Sequence, residues 1–241
     1  MPTTVTWQRP HRRRIYLMRH GAVSYFDPAR EVPLHPNQVP LNEEGRRQAE
    51  AARDALADVS LDRVICSGLP RTEETAQLVQ GSRSLKIEIR PEFREIEPGN
   101  VMGISLEDAQ TVFAEALRGE LTPNRQFLHG ETFGQLQDRV LSGFHELLTD
   151  PAWQHMLIVA HGIANRALLT DALGAGLDGF RHLEQDAACI NVIDVDAQGD
   201  LIVRGINITP YNLVKSGIDL TTMEQLFVEF VRLMTGGPPL E

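Results

Sequence analysis

Three short apolar runs each stop at a polar, chemistry-bearing group, and each is followed by a helical pattern. Residues 15–18 (Ile-Tyr-Leu-Met) end at Arg19-His20-Gly21, residues 64–66 (Val-Ile-Cys) at Ser67-Gly68, and residues 156–160 (Met-Leu-Ile-Val-Ala) at His161-Gly162. Short continuous apolar runs of this kind read as strands buried on both faces. After the first comes a polar loop holding Pro28, Pro33, Pro36 and Pro40, and then Asn42 suits the cap of a helix reaching about Leu56. After the second, Pro70 suits the first position of a helix from Arg71 to Val79, which places Arg71 in its first turn. After the third, Ile163 to Leu173 turns helical at once. Residues 86–90 alternate as a half-buried strand, and Pro91 leads into a loop with Glu95, Glu97, Pro98 and Gly99. Residues 105–118 read as a helix. Leu136, Val140, Phe144 and Leu147 mark a long amphipathic helix between Glu131 and Leu148. Runs at 190–195 and 201–208 flank Asp-Ala-Gln-Gly as a hairpin, and Met223 to Met234 forms a closing amphipathic helix before Gly236-Gly237-Pro238-Pro239.

Strands alternating with helices predict an α/β fold, a three-layer α/β/α sandwich around a mostly parallel sheet. In such sheets ligands bind at the carboxyl ends of the strands. The Arg-His, Ser-Gly-x-Pro-Arg and His-Gly groups all fall there.

At 241 residues, 42% hydrophobic and 23% charged, the chain suits one domain over 14–241, with residues 1–13 a flexible segment and a small cap insertion at about 102–127. No apolar run nears the roughly 20 residues that cross a bilayer. With 23 basic against 33 acidic residues the formal charge is −10, which repels nucleic acid and anionic lipid at long range. An anionic substrate must therefore be caught by a local basic pocket. Cys66 and Cys189 lack Cys-x-x-Cys spacing, which argues against a disulfide framework, a zinc ribbon or a redox dithiol and fits a reducing cytoplasm. No apolar signal core follows Arg12 to Arg14, so no targeting segment is expected.

Taken together, Leu17-Met18-Arg19-His20-Gly21, Ser67-Gly68-Leu69-Pro70-Arg71-Thr72, Arg94-Glu95-Ile96, Gly130-Glu131-Thr132 and Val159-Ala160-His161-Gly162 resemble, in that order, the histidine phosphatase superfamily, also called phosphoglycerate-mutase-like. The resemblance spans about residues 14–173. It implies that His20 is the nucleophile, that Arg19, Arg71 and His161 bind the phosphoryl group, and that Glu95 is the proton donor and then the base. The residue types suit those tasks. Guanidinium groups give fixed, bidentate hydrogen bonds to phosphate oxygens. Two nearby arginines disfavour the protonated imidazole and keep His20 nucleophilic. The helix start at Gly162-Ile163 is expected to add backbone N–H groups to the same anion. Gly21 completes the first motif, and Glu97 is either a solvated neighbour of Glu95 or a substitute acid. Glu131 and Thr132 are expected to orient the histidines or arginines, or to cap a helix.

Gly174-x-Gly176-x-x-Gly179 follows a helix and not a strand, so it reads as a helix end and turn. Asp194, Asp196 and Asp200 suggest a calcium loop, but position 12 is Gly205. His11, His35, His129, His145, His155 and His182 show no ligand spacing, and neither a metal nor a cofactor is expected. Phosphoglycerate mutases of the family carry an Asn shortly after Arg-His-Gly and an Arg directly after the catalytic Glu. Here residues 22–27 read Ala-Val-Ser-Tyr-Phe-Asp and residue 96 is Ile, which favours hydrolysis. The expected substrate is a small organic phosphate monoester with an apolar or sugar-like part. Ribazole phosphatases are similar in size and motif. Ile104, Leu106, Phe113 and Leu117 either pack on the sheet layer or, with Tyr25 and Phe26, meet the leaving group. The alternatives are a cofactor-dependent mutase and a binding module without turnover. The apolar face of the last helix either packs in the core or joins a homodimer.

Overall fold

The computed structural model describes residues 11–27, 32–33, 35–99, 104–114 and 116–235. Most of the expected N-terminal segment, Pro28, the side chain of Phe26, residues 102, 103 and 115 of the expected cap, and Gly236 to Pro239 lie outside these residues. The strands are β1 (Arg13–Arg19), β2 (Phe26–Asp27), β3 (Val32–Pro33), β4 (Arg63–Cys66), β5 (Ile87–Ile89), β6 (His155–Ala160), β7 (Ile190–Val195) and β8 (Leu201–Ile208). The helices are α1 (Glu43–Ala55), α2 (Pro70–Gln80), α3 (Leu106–Ala109), α4 (Phe133–Thr149), α5 (Gly162–Ala172) and α6 (Thr222–Thr235).

Six strands form the central sheet in the order β5-β4-β6-β1-β7-β8. β5, β4, β6 and β1 run parallel, while β7 is antiparallel to β1 and β8 to β7. Strand periodicity divides the apolar runs between two cores. Ile15 and Leu17 of β1 pack with α4, α5 and α6 on one face, and Tyr16 and Met18 pack with α1 and α2 on the other. The continuous run at 15–18 is thus explained by burial on both faces, and the sandwich has the three layers expected of it. Cys66 lies beside Val159, and Ala160 beside Arg19, so the carboxyl ends of β4, β6 and β1 stand in line.

Local chemistry sets the helix starts. Asn42 caps α1 by accepting from Gly45 N, and Thr132 caps α4 in a reciprocal box with Gln135. The loop leaving β1 crosses the first turn of α1 backbone to backbone: a Cβ on Gly21 would sit 2.4 Å from Gly45 O. Gly174 and Gly176, both at positive φ, end α5, which accounts for the glycine pattern there. The Asp196 carboxylate accepts from Gln198 N and Asp200 N, a turn function in place of a calcium site.

The helix expected over 105–118 is shorter. α3 gives way to a π turn at Gln110–Ala114, whose wider winding carries Phe113 onto Phe230 of α6, ring centroids 4.9 Å apart. Ile104, Phe113 and Leu117 are buried in the core while Leu106 is exposed, so this segment packs inward. Met223 and Phe230 of α6 are buried there too, Leu226 and Phe227 are partly buried against the same core, and Met234 is exposed.

Candidate active site

The site is assembled where β1, β4 and β6 end. His20 directly follows β1 and is buried. Its Nδ1 donates to Gly21 O at 2.7 Å, which fixes the tautomer and leaves the Nε2 lone pair as acceptor. Arg71, in the first turn of α2 behind Pro70, donates from Nε to that lone pair at 3.2 Å and from Nη1 to Pro36 O at 2.6 Å. Burial, then the charges of Arg71 and Arg19, hold His20 neutral to well below its ordinary value. A neutral, oriented imidazole is what a nitrogen nucleophile requires.

His161 is fully buried opposite, its ring centroid 5.2 Å from that of His20. Its Nε2 meets Ser67 Oγ at 2.8 Å, and Ser67 Oγ meets Thr72 Oγ1 at 3.0 Å. Thr72 Oγ1 also donates to Leu69 O at 2.8 Å and accepts from Leu69 N at 3.2 Å. The other ring nitrogen of His161, Nδ1, is buried with no partner. Burial, then Arg71 and the other site groups, keep His161 neutral as well.

Arg19 closes β1. Its Nη1 donates to Gln185 O at 2.7 Å and Thr222 Oγ1 at 3.0 Å, and its buried Nε has no partner. The anchor is itself locked: Gln185 and Asn191 exchange side-chain amide hydrogen bonds, and Asn191 also donates to Leu17 O.

Glu95 departs from expectation. The first N–H groups of α5 do not await the substrate. Ile163 N and Ala164 N donate to the Glu95 carboxylate at 3.1 and 3.2 Å, so of the N–H groups expected at Gly162-Ile163 that of Ile163 holds this carboxylate. Gly162 keeps a place by what it lacks. The point where its Cβ would stand lies 3.4 Å from Arg166 Nη1 and 3.7 Å from both Arg19 Nε and Glu95 Oε2, a cradle between three charged groups. Those are ordinary contact distances and the backbone there is not left-handed, so Gly162→Ala is expected to fold normally while filling the cradle. Loss of one charge-assisted hydrogen bond should weaken inhibition by inorganic phosphate about tenfold. An unchanged inhibition constant would place the anion elsewhere.

The second group of residues separates. Thr132 is a helix cap, and Gly21 serves a close backbone crossing and accepts from His20. Glu97 is exposed and engages Glu131 through its backbone. Glu131 orients neither histidine, and neither Arg19 nor Arg71: it pairs with Arg139 at 2.7 Å, because the two lie two turns apart on and before α4. Four other contributors escaped sequence reasoning. Arg139 and buried Arg166 were signalled by spacing, since Arg166 falls one helical turn after Gly162 and faces the same way. Gln185 and Thr222 come from stretches with no pattern to mark them.

A family model described as histidine phosphatase superfamily (branch 1) matches residues 15–208. An Arabidopsis thaliana protein named "Probable 2-carboxy-D-arabinitol-1-phosphatase" is 28% identical over 85% of this chain, which spans only 44% of that relative's length. An Erwinia tasmaniensis protein named "Probable phosphoglycerate mutase GpmB" is 27% identical over 75% of this chain and 84% of its own. Among solved structures, the alpha-ribazole phosphatase from Shigella flexneri matches with a TM-score of 0.66 at 27% identity, covering 80% of this chain and 96% of that one.

Proposed function

The chain belongs to the histidine phosphatase superfamily, and on that premise we propose that it is a phosphatase hydrolysing a small organic phosphate monoester through a phosphohistidine on His20. The observation that carries the reading is a pair of orphans. Arg19 Nε, an N–H donor, and His161 Nδ1 are buried without a partner, and they flank a neutral His20 whose lone pair is directed by its tautomer. Buried polar groups are rarely left unpaired, and a bound phosphoryl group would satisfy Arg19 Nε–H directly and His161 in its Nδ1–H tautomer.

In the proposed reaction Arg71 shifts its Nε–H from His20 to a phosphoryl oxygen, which frees the lone pair. Nε2 then attacks phosphorus in line. The P–O bond to the leaving group breaks, its electron pair goes to the leaving oxygen, and Glu95 supplies the proton. Gly21 O, already hydrogen-bonded to Nδ1–H, steadies the positive charge on the phosphorylated ring. Glu95, now a carboxylate, takes a proton from water as the water oxygen bonds to phosphorus. The P–N bond breaks and its pair returns to His20. Charge on the equatorial oxygens is spread over Arg19, Arg71 and His161, so the mechanism calls on no metal ion.

The mutase alternative finds less support. A mutase must grip a second acidic group on its substrate, yet the residue after Glu95 is Ile96, buried in the core. An apolar leaving group would draw little from Ile104, Phe113 or Leu117, which pack inward, and this leaves sugar-like phosphates favoured.

The test is hydrolysis of p-nitrophenyl phosphate in excess EDTA, with acid quenching during turnover. An acid-labile, base-stable phosphoenzyme and undiminished rate are expected. Turnover that stops with chelation would overturn the mechanism, and phosphate binding without turnover would favour a ligand-binding protein.

A further inference from the structure

We infer that Arg139, acting with Glu131, is the positioning device for the proton-handling carboxylate: it locks the loop that carries Glu95 and so sets where that side chain meets the leaving oxygen. The inference rests on the phosphatase reading above. Arg139 lies on α4 and donates Nε to Glu131 Oε1 at 2.7 Å and Nη2 to Glu131 Oε2 at 2.8 Å. Its other N–H groups take the carbonyls of Glu92 at 2.7 Å, Arg94 at 2.8 Å and Glu95 at 3.0 Å. An exposed ion pair contributes little, but this one is bidentate and largely covered, the two side chains being 27% and 13% exposed. A lysine could not reproduce it, because one ammonium cannot span a carboxylate and three carbonyls in a fixed plane.

Glu131 stitches the far side of the same loop. It accepts from Glu97 N at 3.0 Å, and its own N–H donates to Glu97 O at 2.8 Å. Gly99 N donates to Leu128 O, and Gly130 lies so close that a Cβ there would sit 2.2 Å from Glu97 O. The backbone of Glu95 is therefore held from α4 while its carboxylate is held from the start of α5. Arg139 makes none of its hydrogen bonds to a phosphoryl-binding side chain; its charge is the least of the causes that hold His161 neutral, and its hydrogen bonds reach the site through Glu95. On its outer side it lines a cavity of about 550 Å³ with Glu97, Pro98, Gly130, Glu131 and Gln135, open enough to admit a small cation.

The experiment compares Arg139→Ala and Glu95→Gln with the wild type on p-nitrophenyl phosphate, whose leaving group needs little protonation, and on phenyl phosphate, whose leaving group needs more. In Arg139→Ala, kcat/KM is expected to fall at least about tenfold further on phenyl phosphate, as in Glu95→Gln. The inhibition constant of inorganic phosphate should stay within about twofold, and millimolar guanidinium should restore part of the loss through the cavity. A purely structural role would lower both substrates and phosphate affinity together, and equal losses or none would overturn the inference. Should Arg139→Ala fail to fold, Glu131→Gln keeps the side-chain volume and must show the same skew; equal losses there overturn it too. A wild type without His20-dependent turnover overturns the phosphatase reading and this inference together. A skewed Glu95→Gln beside an unskewed Arg139→Ala overturns the clamp alone.

Discussion

His20→Ala should abolish phosphoenzyme formation and lower turnover by roughly 10⁴-fold or more, since it removes the imidazole whose tautomer leaves an Nε2 lone pair beside the anion site. Inorganic phosphate should still bind, because Arg19, Arg71 and His161 remain. The same substitution has a signature in stability. An unfolded histidine protonates near pH 6.5, whereas His20 and His161 stay neutral well below that in the fold. Between those values the unfolded chain binds more protons. The stability is full above about pH 6.5 and declines as pH falls, by up to about 1.4 kcal/mol per pH unit for each histidine. Urea unfolding at about pH 6 and pH 5 should therefore show a shallower pH slope in His20→Ala than in the wild type. An unchanged slope would mean that His20 is not held neutral, and residual phosphoenzyme would name a different nucleophile.

Glu95→Gln should cost roughly 10²- to 10⁴-fold on alkyl phosphates and much less in the first step with p-nitrophenyl phosphate. The amide can still accept from Ile163 N and Ala164 N, so the loop should stay seated while the transferable proton is lost. Water attack on phosphohistidine then lacks its base, and p-nitrophenyl phosphate should give a burst of one nitrophenol per site followed by slow turnover. The readout is rapid-mix absorbance. A uniform loss on both substrates without a burst would remove Glu95 from proton transfer and return attention to Glu97, which is exposed on the same loop.

The strands and the shared end at which chemistry collects were legible because each apolar run stops at a charged or small polar residue. The hydrophobic period alone sets where β1, β4 and β6 finish. Pro70 located Arg71, and Thr132, offered with Glu131 as a helix cap, does mark the start of α4. What the pattern could not carry was the choice of partner. The open N–H groups of α5 could serve a substrate or a carboxylate, and only the fold brings Glu95 to them from 68 positions away. Arg19 is likewise anchored by residues 166 and 203 positions downstream, in stretches without periodicity. The π turn at 110–114 is similarly invisible, since the same apolar spacing would serve an unbroken helix.

The first of the described strands is placed in the middle of the sheet. Met18 of β1 pairs with Val159 on one side and Ile190 on the other, so both of its neighbours are made long after it. A nascent chain with both core faces of β1 uncovered has nothing to bury them against until most of the domain has been translated. The non-local pairing makes assembly slow relative to a helical protein of this size, and the growing chain must be kept from aggregating through that exposed apolar segment. Arg19 and His20, at the end of this strand, accordingly reach their places only once β6 and β7 have been made and paired with it.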